Sequence, residues 1–520
     1  MRLITDPRAA LAAASLLALA GCGGSGSKSA EEIAAERCEA VAAARFDNTT
    51  TTVTQTAAGS FMPPTGTAIA DVPAFCRVQA TLKPSTDSNI KVELWLPQEK
   101  WNGRFLGLGN GGFGGALDYR ALAAGLKRGY AVAHTDMGTA PSTGLDGTPL
   151  IGHPEKWLDW GHRSTHLMTT LSKSLLQTYY QQAPKKSYFS GCSSGGGQGL
   201  HEAQRYPEDY DGIVVGAPGH NRLGTHQSIL WTFAATQRDE ASYISPATYK
   251  ALNASIKSAC DGADGLVDGI ISRPDLCKPD LSSLTAGQAE AMRKIYADPT
   301  HAVTGAQIFP GLLPGYEVIF PNDPPSPTQQ VWFNGIFNWV FGESWDWRSF
   351  DFGADVDAMQ TKLGGIVNAT DPDLSAFRAR GGKMIAYQGL ADDIVAPGEI
   401  ARYVDAVKDR LGERDSFLRL FNAPGMGHCQ SGDAPNIFGN NDLEANTISP
   451  DDPERDALAA VQAWVEEGRV PTQLIATQFQ GNDSKAAKLR DRPLCVYPQV
   501  AQYKGSGDPN AASSFSCVNP

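Results

Sequence analysis

The sequence predicts an α/β protein with a mostly parallel central sheet and one large lid-like insertion. Three observations carry this. Between residues 90 and 219, short β-rich runs alternate with helical patterns, the rhythm of a parallel sheet covered on both faces. From about Asn221 to Arg380 that rhythm stops, and aromatics, aspartate and proline replace strand-like runs. It resumes at "GGKMIAYQGLADD" (381–393) and "SFLRLFNAPGMGHC" (416–429). With 520 residues, one large core bearing an insertion fits this pattern better than a string of domains. The expected core is 33–220 and 381–520, with the lid over 221–380.

The first element is a targeting segment. Arg2 and Arg8 flank the start, and a largely apolar run spans Ala9 to Ala20. It is too short for a bilayer core of about 30 Å and suits the apolar region of a signal peptide over 1–21. Leu19-Ala20-Gly21-Cys22 resembles a bacterial lipobox, which makes Cys22 the expected acylation site. "GGSGSKSAEE" then reads as the flexible part of a tether over 22–32. The expectation is an exported cell-envelope lipoprotein of the outer membrane, or a secreted protein, touching membrane only through its lipid. Gly23, in place of the aspartate that often retains lipoproteins at the inner membrane, favours the outer one.

Eight cysteines remain after Cys22, an even number that suggests disulfides in an exported chain. Eight allow 105 pairings, and sequence alone does not choose among them. Proximity favours Cys38–Cys76, Cys260–Cys277 and Cys495–Cys517, which leaves Cys192 and Cys429. The net charge of −12 and the lack of a basic patch argue against nucleic-acid partners.

In the core, "IKVELWLP" (90–97) alternates as a half-buried strand does. "GRFLGLGNGGFGG" (103–115) reads as a buried strand running into a glycine loop, and "YAVAHTDMG" (130–138) as another strand. Leu167, Leu171, Leu175 and Tyr179 share one helix face. "DGIVVGAPG" (211–219) is a strand, and "DDPERDALAAVQAWVEEG" (451–468) a helix capped by Asp451 or Asp452 with Pro453 in its first turn.

"KSYFSGCSSGGGQGLHEAQRY" passes from strand to turn to helix, with Ser193 between Gly191 and Gly195. Such a Gly-x-Ser-x-Gly turn resembles the nucleophile elbow of α/β-hydrolases. The N–H of Ser194, at the helix start, would face an oxyanion. "GNGGFGG" (109–115) sits where a second oxyanion N–H is supplied, from Gly111 or Gly112. A dinucleotide loop is the rival for this stretch, and no acidic residue closing a second strand supports it. The fold requires serine, then acid, then histidine along the chain. "GLADDIVAP" offers Asp392, with Asp393 as competitor, and "GMGHC" offers His428.

Together "GNGGFGG", "YFSGCSSGGGQGLHEAQRYPEDYDGIVVGAP", "GLADDIVAP", "GMGHC" and "WVEEGRVP" resemble the tannase and feruloyl esterase family, which includes a mono(2-hydroxyethyl) terephthalate hydrolase. The resemblance runs over most of the mature chain. It implies an α/β-hydrolase fold and a serine esterase acting on an aromatic ester, with ferulate, gallate or terephthalate-like acyl groups. It also implies a disulfide between the cysteines beside Ser193 and His428, and no organic cofactor. The family's acid lies in a Gly-x-x-Asp-x-x-Val-x-Pro frame matched by Gly389, Asp392, Val395 and Pro397, which prefers Asp392 to Asp393. Ser194 departs from the residue many members carry there.

"CDGADGLVDGIISRPDLC" (260–277) crowds Asp261, Asp264 and Asp268 together, and like charges so close repel unless a cation joins them. It resembles the family's calcium loop, which implies a structural Ca²⁺ with carbonyl ligands from Leu266 and Ile270. No glutamate stands where an EF-hand needs one. In "WVFGESWDWRSFDF" (339–352), Trp345 is a candidate to stack on an aromatic acid and Arg348 to pair with a substrate carboxylate, against the plainer reading that these residues fill the lid's own core. Two other readings stand beside the esterase: a surface lipoprotein keeping the scaffold only for binding, and another Ser-Asp-His hydrolase such as a thioesterase or peptidase.

Overall fold

The computed structural model describes residues 28–315, 323–331 and 333–520. The expected signal peptide, Cys22 and the start of the tether lie outside the described residues. The last tether residues are helical, because the first helix, α1 (Ala30–Ala43), opens with a capping box between Ser29 and Glu32.

Nine strands form the central sheet. In chain order they are β1 (Thr49–Thr56), β2 (Phe75–Leu82), β3 (Ile90–Pro97), β4 (Arg104–Leu108), β5 (Ala131–Thr135), β6 (Lys186–Cys192), β7 (Gly212–Gly216), β8 (Lys383–Gly389) and β9 (Leu418–Ala423). Their spatial order is β1-β2-β3-β5-β4-β6-β7-β8-β9. The pairings β1–β2, β2–β3 and β3–β5 are antiparallel. Those from β5 through β4, β6, β7 and β8 to β9 are parallel. The sheet is thus parallel where it carries the site and antiparallel at its N-terminal edge.

Helices cover both faces. On one lie α1, α3 (Ser164–Tyr180), α4 (Ser194–Arg205) and α6 (Gly398–Leu411), packed through Cys38, Leu171, Leu175, Tyr179, Leu200 and Val404. On the other lie α2 (Tyr119–Lys127) and α7 (Ala457–Glu467), packed through Leu122, Leu458, Val461 and Trp464. This double cover corrects the half-buried reading of β3. Seven of its eight residues are buried, because Trp95 faces Phe61 and Phe75 while Leu94 and Leu96 face α3.

The start of α7 also differs from expectation. Residues 451–455 are turns, and the cap is Asp456, whose carboxylate accepts the Ala459 N–H at 2.8 Å and pairs with Arg128. Only Asp456 reaches both that amide and a buried guanidinium, so it outcompetes Asp451 and Asp452.

Between β7 and β8 the chain leaves the sheet. α5 (Arg222–Gln237) begins this excursion, whose aromatics Phe233, Phe337, Trp339 and Trp347 share one cluster with Phe113, Trp157 and Trp160 of the core. A smaller cluster surrounds Cys260 and Cys277. The chain is back on the sheet's cover before β8, where Ala369, Leu374 and Phe377 join the core.

Candidate active site

Ser193 stands alone between the end of β6 and the start of α4, at φ 60° and ψ −118°. A non-glycine residue there is strained, and the surroundings hold it. Its N–H donates to Gly216 O at 2.9 Å, and its carbonyl accepts from Gly197 and Gly219. A Cβ on Gly191 would lie 2.7 Å from the Gly195 carbonyl carbon, and one on Gly195 would lie 3.0 Å from Gly109 Cα. The flanking glycines are therefore steric requirements of the turn.

Asp392 follows β8, and His428 follows β9. Asp392 Oδ1 accepts the Ile394 and Val395 N–H groups, each at 2.9 Å, and Oδ2 accepts Gln388 Nε2 at 2.9 Å. So aimed, the buried carboxylate meets His428 Nδ1 at 2.9 and 3.1 Å. Burial alone would lower the imidazole pKa, but the charge and hydrogen bond of Asp392 outweigh it, and the net shift is upward. Asp393 makes no such bond. Burial, then repulsion from Asp392, pushes its carboxyl up to about 7.

All four disulfides form: Cys38–Cys76, Cys192–Cys429, Cys260–Cys277 and Cys495–Cys517. The second ties residues 237 apart in sequence, with Cα atoms 5.8 Å apart, and both its cysteines are buried. It fastens the residue before Ser193 to the residue after His428. Asn440 Nδ2 donates to the Cys429 carbonyl at 2.9 Å and steadies that end. Among the described residues the Ser193 hydroxyl makes no hydrogen bond to the ring; in ligand-free sites such bonds are often long and tighten when substrate arrives.

The glycine loop after β4 packs against the elbow. Ser194 Oγ donates to Gly112 O at 2.7 Å, and Gly195 N–H donates to Asn110 O at 2.6 Å. Gly112 has φ +53°, and a Cβ there would come within 1.9 Å of Gly144 O. The N–H of Ser194 heads α4, where no intrahelical acceptor exists. Among the described residues the N–H groups of Gly111 and Gly112 donate to no carbonyl or side chain. The loop thus leaves unspent donors beside Ser193.

A small cavity abuts Ser193, walled by Phe113, Trp160, Ile229 and Phe333, with Arg222, Thr225 and His226 as its polar members beside the elbow serines. Trp345 and Arg348 do not line it. Trp345 stacks on Phe337 with ring centroids 4.6 Å apart. Arg348 is held by Asp346 at 3.1 Å and by Ser326 O at 2.9 Å. Both serve the insertion's own packing, as the plainer reading had it. Sequence reading passed over Arg222 and His226. Their signal is position: Arg222 lies six residues past β7, at the carboxyl ends of the parallel strands, where open α/β sheets bind ligands.

In the 260–277 loop, Asp261 accepts N–H groups from Asp268, Gly269 and Ile270. Asp264 accepts from Leu266 N–H at 3.0 Å. The Asp268 carboxylate is paired with Arg492, and its carbonyl accepts from Arg490 at 2.8 Å. The donors are hard oxygens suited to Ca²⁺, yet part of their charge is met by arginines of the C-terminal hairpin. Among the described residues, the metal-type side chains whose ligand atoms lie within 4.8 Å of one another are His166, Glu202 and Asp209, far from this loop in sequence.

Known proteins agree with this architecture. The family model for tannase and feruloyl esterase matches residues 76–316 and 329–518. An uncharacterised esterase of Xanthomonas campestris is 35% identical, covering 94% of this chain and 92% of its own. The Aspergillus flavus protein named "Probable feruloyl esterase B-1" is 33% identical over 85% of this chain and 86% of its own. The crystal structure of feruloyl esterase B from Aspergillus oryzae superposes with a TM-score of 0.85 at 28% identity, covering 94% of this chain and all of that one. The tannin acyl hydrolase of Aspergillus niger shares the fold, with a TM-score of 0.75 at 21% identity and coverage of 94% and 96%. With its mixed, mostly parallel sheet and its match over most of its length, the chain belongs to the tannase and feruloyl esterase family of α/β-hydrolase ester hydrolases.

Proposed function

We propose that the protein cleaves aryl or hydroxycinnamoyl carboxylic esters through an acyl-enzyme on Ser193, with His428 as general base and Asp392 as its orienting acid. One observation carries this reading. The Asp392–His428 pair is fastened through Cys429 and Cys192 to the strained elbow that presents Ser193.

The chemistry follows from the residues. His428 Nε2 takes the Ser193 proton as Oγ attacks the ester carbon, and Asp392 stabilises the imidazolium that forms. The oxyanion is met by the Ser194 N–H and by Gly111 or Gly112 N–H, donors that spend nothing on the free protein. Collapse expels the alcohol, protonated by His428, and water repeats the sequence to free the acid and restore Ser193. The aromatic walls of Phe113, Trp160 and Phe333 support a flat acyl group. The test is a p-nitrophenyl ester burst, then kcat/KM on methyl ferulate, methyl gallate and mono(2-hydroxyethyl) terephthalate. Ser193→Ala is expected to abolish the burst and lower kcat by about 10⁴-fold or more; a variant that keeps the burst overturns the assignment.

Two further parts belong to this reading. The oxygen donors of Asp261, Asp264, Asp268, Leu266 and Ile270 support a structural Ca²⁺, which must share Asp268 with Arg492. Metal analysis of purified protein, with a fall in Tm on chelation, tests it. The four disulfides support export to an oxidising compartment. No helix among the described residues is long and apolar enough to cross a membrane. Acylation at Cys22 then anchors the chain, and labelling with a fatty-acid analogue, lost in Cys22→Ala, tests that.

A further inference from the structure

Glu202 lies in α4, the helix that starts at the elbow, and the residue is 1% exposed. Among the described residues neither of its carboxylate oxygens meets a hydrogen-bond donor. Every other buried aspartate or glutamate among them accepts at least one hydrogen bond. What Glu202 faces is a second carboxylate, that of Asp209 between α4 and β7, together with the ring of His166 on α3. One ligand atom from each of the three lies within 4.8 Å of the others. Lys173, the cation nearby, gives its ammonium group to the Glu208 and Asp209 carbonyls.

Two carboxylates held out of water repel unless a proton or a cation joins them. The imidazole distinguishes the two. A proton needs only the two oxygens, whereas His166 adds a nitrogen, with Nδ1 2.6 Å from Asp209 Oδ2. Its ring is held flat against Tyr206, with centroids 3.9 Å apart, so the nitrogen has a fixed direction. One imidazole and two carboxylates are the donor set of a tetrahedral transition ion whose fourth position is left to water. With bonds near 2 Å, such an ion holds its ligand atoms about 3.3 Å apart, so the His166–Asp209 contact must open by about 0.7 Å. Ca²⁺, which takes six to eight oxygens, does not suit this set. The His166 side chain, 30% exposed, is the member that reaches solvent.

We propose that His166, Glu202 and Asp209 form a binding site for Zn²⁺, separate from the triad and from the acidic loop at 260–277. The ion replaces the proton on His166 Nδ1 and any proton shared by the two carboxyls, and releases them to water. It ties α3 to the last turns of α4 and to the segment entering β7, behind the helix whose first residue follows Ser193. Its role is structural, and the site stands whether or not the esterase reading does.

The experiment strips the full chain with a chelator, returns it to excess Ca²⁺ and titrates Zn²⁺ by calorimetry. Co²⁺ then replaces Zn²⁺ for absorption spectroscopy. The wild type is expected to take one zinc per chain, gain about 2–3 °C in Tm at about 100 times Kd, and show the strong visible bands of tetrahedral Co²⁺. Glu202→Gln and His166→Asn should each weaken zinc binding about 100-fold or more and lose the bands. His153→Asn, at the exposed His153–Asp87 pair, should change neither. Should Glu202→Gln fail to fold, His166→Asn decides alone. Zinc bound equally by all the variants is adventitious and overturns the proposal. So does a wild type that takes up none; a Glu202→Gln protein as stable as the wild type would then identify a proton as what joins the carboxyls.

Discussion

Cutting the Cys192–Cys429 bond is the sharpest perturbation of the proposed machinery. The double variant Cys192→Ala/Cys429→Ala removes a cross-link between residues 237 apart in sequence. In the chain-entropy model, a closed loop of that length is worth about 5 kcal/mol. At roughly 2 cal/mol/K of unfolding entropy per residue, that corresponds to a fall in Tm of about 5 °C for a chain of this size. The kinetic effect is separate. The bond joins the neighbours of Ser193 and His428, and a misplacement of about 1 Å between reacting groups costs about 100-fold. The assay is kcat/KM on a p-nitrophenyl ester well below Tm, with calorimetry on the same samples. A variant that keeps wild-type kcat/KM and melts within about 1 °C of the parent would refute the claim that this bond holds the nucleophile to its base.

Other expectations follow from the same geometry. Because His428 has a raised pKa and acts when neutral, kcat/KM should fall as pH drops through a value above 6.5. Asp392→Asn removes the main partner that raises it, so burial prevails. The acid limb should then move below 6.5 while kcat drops about 10⁴-fold, as a pH–rate profile would read. Gly195→Ala sets a Cβ 3.0 Å from Gly109 Cα and should cost activity well before it costs the fold, measured as kcat against circular dichroism. Asp456→Ala leaves Arg128 buried and unpaired and uncaps α7, a loss of about 3–5 kcal/mol visible in chemical denaturation with the catalytic groups untouched.

The parts of this molecule legible in its sequence are those whose physics is local. The strand–turn–helix around Ser193 announces itself because steric crowding at the elbow admits only glycine at 191 and 195. The three short-range disulfides follow from chain proximity. The preference for Asp392 over Asp393 came from the resemblance, and the His428 bond to Asp392 agrees with it. What the sequence hid depends on distant partners. The alternation in "IKVELWLP" suggested one wet face, but Phe61 and Phe75 arrive from elsewhere to cover Trp95. Asp456 became the cap because Arg128, 328 residues away, is there to share it. Arg348 and Trp345 sit in an aromatic-rich stretch that looked like a pocket and packs on itself. Arg222 looked ordinary because what distinguishes it, a place at the Ser193 cavity, exists only in three dimensions.

The insertion departs after β7 and returns before β8, and those two strands are hydrogen-bonded neighbours, with Gly216 opposite Tyr387. Lys383, where it returns, lies opposite Gly212, so the two ends stand at opposite ends of paired parallel strands, about 14 Å apart. A replacement must still pack on Phe113, Trp157 and Trp160, whereas doubling the length of the insertion adds only about 0.6 kcal/mol of closure entropy. The insertion thus supplies one wall of the cavity at Ser193, and Phe113 and Trp160 of the core supply the other. Grafting a relative's insertion between the same two strands is accordingly the natural route to new substrates for this enzyme.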